Sequence, residues 1–241
     1  MIKPSEVSRA SEKLLKELVS SYLDPTAIRL VTGGPTETGE ILKLQFNHVF
    51  FTGSSKVARF ITQATAKHLT PTVLELGGQG PAIVCASADT NLAAKRIAWV
   101  KWMAAGQICL SVNHVFVDPA VHDEFVKRLK HWNEKFEAGS DNEQMCRLVN
   151  ERNFDRLTGL LARSHGDRVY GGKTDRPSKY IQRTIVTNVN TEGRLTLVQS
   201  HLNLVSMLIH KLDSLMSEEL FGPICPVIKA DPITAYRTIN R

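Results

Sequence analysis

Cysteine is scarce and scattered in this chain. Its 241 residues include four cysteines that lie far apart, and none belongs to a Cys-x-x-Cys or Cys/His pattern, so no metal site or disulfide framework is predicted. No run of about eighteen apolar residues occurs, and the N-terminus lacks the apolar stretch of a secretory signal. We therefore predict no membrane span and a reducing compartment, the cytoplasm.

Charge of one sign is not concentrated either. The 30 basic and 24 acidic residues give a net charge of +6, and they are scattered along the sequence. Nucleic acid is therefore not predicted as a partner. The small basic excess fits a solvated surface best, and attraction of an anionic cofactor or substrate is the alternative interpretation.

Short apolar runs alternate with segments of helical spacing. The runs are 28–31, 48–52, 73–76, 82–85, 115–117 and 168–170, and the helical segments include 5–22, 92–103, 121–132 and 154–161. This alternation predicts an α/β fold whose mainly parallel sheet carries helices on its faces. A polar loop at 139–144 is a predicted soft point.

Residues 193–212 have a different character, being rich in leucine and valine without a break by glycine or proline after position 193. Positions 198, 202, 205, 209 and 212 would share one face of a helix. The spacing therefore predicts an amphipathic helix.

A glycine and a serine follow the apolar run at 48–52. Gly53 and Ser54 would bring backbone N–H groups and a hydroxyl to a helix N-terminus, where the partial positive charge suits a phosphate. An ordinary strand-to-helix turn with a serine cap has the same pattern. Taken alone, these residues favour the ordinary turn.

Two further residues have the chemistry of a base and a nucleophile. Glu75 ends an apolar run before a glycine pair, where partial burial would make its carboxylate a general base; the alternative is an edge carboxylate in water. Cys109 follows Gly106, which would end a helix and leave the thiol on an accessible loop; the alternative is a small buried side chain. Taken alone, each residue favours its alternative.

Five short motifs occur in order along the chain. They are Lys3-Pro4-Ser5-Glu6, Phe51-Thr52-Gly53-Ser54, Glu75-Leu76-Gly77-Gly78, Ala105-Gly106-Gln107-Ile108-Cys109 and Glu218-Glu219-Leu220-Phe221-Gly222-Pro223. Together they closely resemble the aldehyde dehydrogenase superfamily, and residues 66–71 with the pair Gly171-Gly172 resemble its class 3 branch. At this spacing the motifs are highly specific, and the resemblance covers almost the whole chain apart from 193–212.

The resemblance implies oxidation of a small aldehyde to a carboxylic acid with NAD or NADP. Cys109 matches the nucleophile that forms a thiohemiacetal and then a thioester, and Glu75 matches the base that activates water. The matches to cofactor-binding positions are Lys3 and Glu6 for the adenosine ribose, Gly53 and Ser54 for the pyrophosphate, and Glu219 for the nicotinamide ribose, with Phe221 nearby.

The resemblance also implies domains. Residues 1–76 would be part of a Rossmann-like cofactor domain and 77–241 part of the catalytic domain, with 193–212 inserted. Family members are homo-oligomers and have segments before and after this chain, including an oxyanion-binding asparagine, so we expect an incomplete copy in which Ile2 is a strand remnant without neighbours. The departures from family residues are Gln79 for lysine, Ala58 for glycine, Ala104 for asparagine and Arg183 for proline.

Three functions compete at this point. The first is an active aldehyde dehydrogenase, and the second is a non-catalytic fragment that at most binds a dinucleotide or a partner. A cofactor-free thiol hydrolase is the weakest, because no histidine motif accompanies Cys109. For residues 193–212, a translated intron competes with a genuine surface helix.

Overall fold

The computed structural model describes residues 1–138, 145–191, 194–199, 205–210 and 212–240. The predicted soft loop at 139–144 lies outside them. The chain divides into two compact units, Met1–Gly77 and Gly78–Arg241. Among the described residues, no helix has the length and apolar character to cross a membrane, and no three His, Cys, Asp or Glu side chains are grouped as a metal ion would need.

The first unit is built around a two-stranded parallel sheet. Its elements are α1 (Arg9–Tyr22), α2 (Pro35–Ile41), β1 (Val49–Gly53), α3 (Ser55–Ala66) and β2 (Thr72–Leu76). In the pairing of β1 with β2, Thr52 lies opposite Glu75. Helix α3 begins directly after Ser54, whose hydroxyl accepts a hydrogen bond from the N–H of Val57 at 3.4 Å. Ser54 and Glu75 therefore lie at the same carboxyl edge of this small sheet.

A second parallel pairing in the first unit involves Ile2, contrary to the expectation that it has no neighbour. Ile2 forms an isolated bridge with Leu30. Its N–H donates to the carbonyl of Arg29 at 2.7 Å, and its carbonyl accepts from the N–H of Val31 at 2.9 Å. The bridge fixes the start of the Lys3–Glu6 motif.

The second unit contains a five-stranded sheet of order β3-β4-β11-β8-β5. Strands β3, β4, β11 and β8 are parallel to one another, and β5 is antiparallel to β8. The helices are α4 (Thr90–Trp102), α5 (His122–Ala138), α6 (Glu151–Arg163) and α7 (Pro232–Ile239), and the strands are β3 (Pro81–Val84), β4 (His114–Val117), β5 (Asp167–Tyr170), β6 (Thr174–Asp175), β7 (Tyr180–Ile181), β8 (Thr184–Thr187), β9 (Arg194–Gln199), β10 (Val205–His210) and β11 (Ile224–Lys229). The predicted α/β fold with a mainly parallel sheet is confirmed.

The two faces of this sheet bury separate apolar clusters because successive strand residues point to opposite sides. Along β4, Val115 joins a cluster with α4 and α5, whereas Phe116 joins the cluster that contains Leu157 of α6 and Ala235 of α7. Helices thus cover both faces, which is the usual arrangement for a parallel sheet.

The amphipathic helix predicted within 193–212 is wrong. Residues 194–199 and 205–210 form β9 and β10, an antiparallel pair in which Leu197 lies opposite Met207. Residues 194–197 also alternate between polar and apolar, so a period of two competed with the helical period, and local strand pairing prevailed. Residues 193, 200–204 and 211 of the stretch lie outside the described part of the chain.

Candidate active site

Two of the family-like motifs, and Gly78 at the end of a third, lie at one edge of the large sheet. The pair Gly77-Gly78 precedes β3, Cys109 precedes β4, and residues 218–223 precede β11. Since these strands are parallel neighbours, their amino ends share one edge. The second unit therefore presents its candidate residues at the amino edge of its sheet.

Cys109 lies on a turn with an uncommon backbone. After α4 ends, Ala104, Ala105 and Gly106 have φ values of 49°, 55° and 74°, all in the left-handed region. The turn leaves the Cys109 side chain exposed, as expected from the glycine that precedes it. A substrate can therefore reach the thiol.

Gly106 brings the cysteine turn against the Glu-Glu-Leu-Phe-Gly-Pro motif. A Cβ at this position would lie 2.3 Å from the carbonyl oxygen of Gly222, so the two backbones approach more closely than any side chain permits. A Cβ on Gly222 would in turn meet Leu157 at 2.3 Å. Both glycines are therefore required by packing.

Asn113 ties all three strand starts together. It is buried, its N–H donates to the carbonyl of Gly80 at 2.7 Å, and its side-chain oxygen accepts from the N–H of Leu220 at 2.7 Å. These bonds connect the residues before β3, β4 and β11. The amino edge is thus a hydrogen-bonded assembly within the second unit.

Arg156 of α6 holds the residues around Glu219. Its guanidinium donates to the carbonyls of Glu219 at 3.3 Å and Leu220 at 2.6 Å, and to the carboxylate of Glu218 at 3.2 Å. The planar guanidinium of arginine carries several N–H donors and can therefore donate to several acceptors at once. Phe221, which follows, is half-buried and has a left-handed φ of 47°.

Burial controls the electrostatics behind this edge. It raises the pKa of Glu219, an effect opposed by the N–H of Gly78 and by Arg156 and Lys101. Burial lowers the pKa of Lys101 to about 8, against the influence of Cys225 and Glu219. The positive charge of Lys101 therefore acts on the half-buried Glu219 carboxylate.

Two neighbours of Lys101 are also shifted by burial. Burial lowers the pKa of His114 to about 4, and the nearby Lys101 charge adds to this effect. Burial raises the pKa of the Cys225 thiol to about 11, although Lys101 opposes it. His114 and Cys225 are consequently neutral at neutral pH.

The first unit contains the other candidates. Lys3 is half-buried, and its ammonium donates to the carbonyls of Pro4 at 2.7 Å and Gly33 at 2.8 Å and lies 3.3 Å from the Glu6 carboxylate. Lys3 and Glu6 thus form one cluster. Gly53 and Ser54 are placed at the end of β1, as predicted.

Glu75 has the environment that its position in the sequence favours when it is taken alone, that of an edge carboxylate in water. Its side chain is exposed, and it lies near the end of β2 in the two-stranded sheet. Of the other cysteines, Cys225 is buried, whereas Cys85 and Cys146 are exposed.

Several residues that build the site escaped the sequence analysis. Lys101 carried a signal, since it is a charge beside apolar residues near the end of a helix. Asn113 and Arg156 carried none, because their partners lie far away in the chain: 107 and 64 residues separate Asn113 and Arg156 from Leu220.

The chain is similar in sequence to proteins of one family. The model of the aldehyde dehydrogenase family matches residues 1–198. The chain is 36% identical to the dimeric NADP-preferring aldehyde dehydrogenase of Canis lupus familiaris, over 95% of this chain and 46% of that protein. It is 35% identical to aldehyde dehydrogenase family 3 member B1 of Rattus norvegicus, over 100% of this chain and 47% of that protein. The chain spans about half the length of these relatives.

A solved structure shows the same fold. The substrate-bound AldH of Staphylococcus aureus superposes with a TM-score of 0.84 at 30% identity, over 99% of this chain and 48% of that one. The α/β fold and the resemblance to the class 3 branch are confirmed. This chain belongs to the aldehyde dehydrogenase family.

Proposed function

We propose that this chain carries residues for the oxidation of an aldehyde to a carboxylic acid with NAD or NADP. The observation that carries the proposal is the exposed Cys109 thiol on a turn that is locked against the Glu219 motif through Gly106 and Gly222. The name of the canine relative, NADP-preferring, supports the cofactor class.

Cys109 is the proposed nucleophile. Its thiolate attacks the carbonyl carbon of the aldehyde, and the carbonyl oxygen becomes an oxyanion, for which the backbone N–H of Cys109 is the proposed donor. When bound, a dinucleotide would accept the hydride that the thiohemiacetal loses as it becomes a thioester. Glu75 is the proposed base: it takes a proton from water, the hydroxide adds to the thioester carbon, and cleavage of the C–S bond returns the thiol and releases the acid.

The residues of the first unit fit a dinucleotide. Ser54 is exposed at the N-terminus of α3, where unpaired N–H groups and the helix dipole favour a phosphate. Glu6 is the proposed partner of the adenosine-ribose hydroxyls, with Lys3 beside it. In the second unit, Glu219 is the proposed partner of the nicotinamide ribose, and Phe221 lies next to it in the chain.

The domain assignment follows from these roles. We assign residues 1–76 to a cofactor domain and 77–241 to a catalytic domain. Residues 193–212 would be an insertion translated from an intron, and an abundant mature transcript that contains these codons would contradict that origin. Assembly with a second copy, as in the relative named dimeric, and a cytoplasmic location complete the proposal.

The central test is replacement of Cys109. We expect Cys109→Ala to abolish aldehyde-dependent formation of NADH or NADPH, measured by absorbance, because no other thiol is proposed to attack the carbonyl. Cys85→Ala, which removes another exposed thiol of the same unit, is the matched control and should keep its activity.

Two results would count against the proposal. Full activity in Cys109→Ala would refute the assignment of the nucleophile. A purified chain that shows no turnover, and no heat of NAD or NADP binding in calorimetry, would instead favour the competing interpretation of a chain without catalysis.

A further inference from the structure

The turn that carries Cys109 is fastened at a second point by the side chain of Gln107. This carboxamide spans a gap of forty residues in sequence: its nitrogen donates to the carbonyl of Arg147 at 3.1 Å, and its oxygen accepts from the N–H of Val149 at 2.9 Å. The same nitrogen also donates to the carbonyl of Ala104 at 3.1 Å. One side chain therefore connects both ends of the left-handed turn to residues 147–149.

Residues 147–149 are themselves firmly anchored. Leu148 is buried in the core, and its N–H donates to the carbonyl of Lys179 at 3.1 Å. The guanidinium of Arg147 lies 4.8 Å from the ring centre of Tyr180. Gln107 thus ties the turn before the exposed Cys109 to a segment that cannot shift without disturbing the core.

The opposite side of the turn is held by the close approach of Gly106 to Gly222. Gln107 is the residue that follows Gly106, and Cys109 comes two residues later. The backbone of the turn is therefore held by a contact on each side. Backbone N–H groups that are to bind an oxyanion need such fixed positions, because they act only over a narrow range of distance.

We propose that Gln107 is a positioning residue for Cys109, and that its carboxamide sets the orientation of the thiol by pinning the turn to residues 147–149. The inference rests on the proposed role of Cys109 as nucleophile and adds how the nucleophile is oriented. Gln107 does not touch the reacting atoms and acts through the backbone.

The test compares two reactions of the same thiol. Acylation by p-nitrophenyl acetate forms a thioester on Cys109 and releases p-nitrophenolate, and it needs oriented oxyanion donors. Alkylation by iodoacetamide displaces iodide and needs only an accessible thiolate. Both rates are followed on the full chain without cofactor, by the absorbance burst and by mass spectrometry of the Cys109 peptide.

We expect Gln107→Met to slow acylation of Cys109 about 100-fold, the scale on which a displacement of about 1 Å acts, while alkylation changes by less than about threefold. Gln107→Glu keeps the acceptor for Val149 but loses both donated bonds, and should slow acylation in the same selective way if Gln107→Met does not fold. The matched control is Gln182→Met, whose oxygen accepts one bond of 3.4 Å from Lys173; it should leave both rates unchanged.

Equal changes in the two rates, or no change in either, would overturn the positioning role, because only misplacement separates acylation from alkylation. An unsubstituted protein whose Cys109 is alkylated but never acylated would instead refute the proposed function, and the inference with it. The two failures are therefore distinguishable.

Discussion

The two units hold their candidate residues in contrasting ways. In the first unit, Ser54 and Glu75 are exposed and Glu6 is half-buried, and the buried residues are limited to Val19, Ala58, Ile61 and Thr65. In the second, the candidates border a five-stranded sheet with apolar clusters on both faces. In the first unit the candidate residues lie outside a small core, whereas in the second they lie in a closely packed and hydrogen-bonded sheet edge.

This difference predicts which substitutions lower stability and which alter binding alone. A change in the interlocked edge of the second unit should lower the free energy of unfolding together with activity, because the same atoms serve packing and chemistry. A change at an exposed candidate of the first unit should alter binding and leave stability within about 0.5 kcal/mol, as surface substitutions usually do.

The largest expected effect is that of Gly106→Ala. A left-handed φ costs an L-residue about 1–2 kcal/mol, and the collision of the new Cβ with Gly222 adds about 1–3 kcal/mol. We expect the free energy of unfolding, measured in urea, to fall by about 2–5 kcal/mol.

Gly39→Ala in α2 of the first unit is the contrasting control. Nothing lies within 4 Å of its Cβ position, so the substitution should stabilise by about 0.5–1 kcal/mol. Similar losses from both substitutions would break the comparison between the units.

His114 makes the stability of the second unit depend on pH. Its pKa falls from 6.5 to about 4 on folding, chiefly through burial, so between these values the unfolded chain holds a proton that the folded chain does not. Stability is therefore lost as the pH falls from 6.5 to 4, by about 3 kcal/mol when the loss is complete. His114→Phe, beside Phe116, should flatten this part of the curve.

Unfolding in urea at pH 7.5 and at pH 4.5 measures the effect. The difference between the two free energies should be larger in the unsubstituted protein than in His114→Phe. Equal pH dependence in the two proteins would show that His114 takes up its proton without resistance from the fold.

The sequence predicted those structural features that depend on a local pattern. The helical segments predicted at 92–103 and 154–161 correspond to α4 and α6, because their apolar spacing reflects burial on one face. The exposed position of Cys109 was one of two interpretations of the loop after Gly106, and the motif series favoured it over a buried side chain. The helix predicted within 193–212 was wrong because the apolar residues there fit both a helical and a strand period. Neither period shows which strands pair.

What could not be predicted depends on distant contacts. The hydrogen bond from the Gln107 side chain to the carbonyl of Arg147 joins residues forty positions apart. No spacing rule connects such positions. Gly106 and Gly222 could be recognised as motif glycines, but only the folded backbone shows that each leaves room for the other.

In the first unit, Glu6→Gln tests whether a half-buried candidate outside the core acts on binding alone. The carboxylate beside Lys3 would repel a ribose 2′-phosphate, so its removal should shift the ratio of NADP to NAD affinity towards NADP by up to about tenfold, or about 1.4 kcal/mol. Calorimetric titration with each dinucleotide gives the ratio. A fall in melting temperature without a shift in the ratio would place Glu6 among the structural residues.

The smallest effect is expected at Ala104, where the family usually has asparagine. Ala104 adopts a φ of 49°, and asparagine tolerates this left-handed conformation better than alanine does. Ala104→Asn should therefore stabilise the second unit by about 0.5–1 kcal/mol. The same replacement at Ala93, inside α4, should destabilise by a similar amount, because alanine is the better helix former. Urea unfolding of the pair measures a difference of opposite sign. Equal signs would mean that the strain in the turn is already relieved elsewhere, and that the cysteine turn is less tightly determined than the contacts of Gly106 and Gln107 indicate.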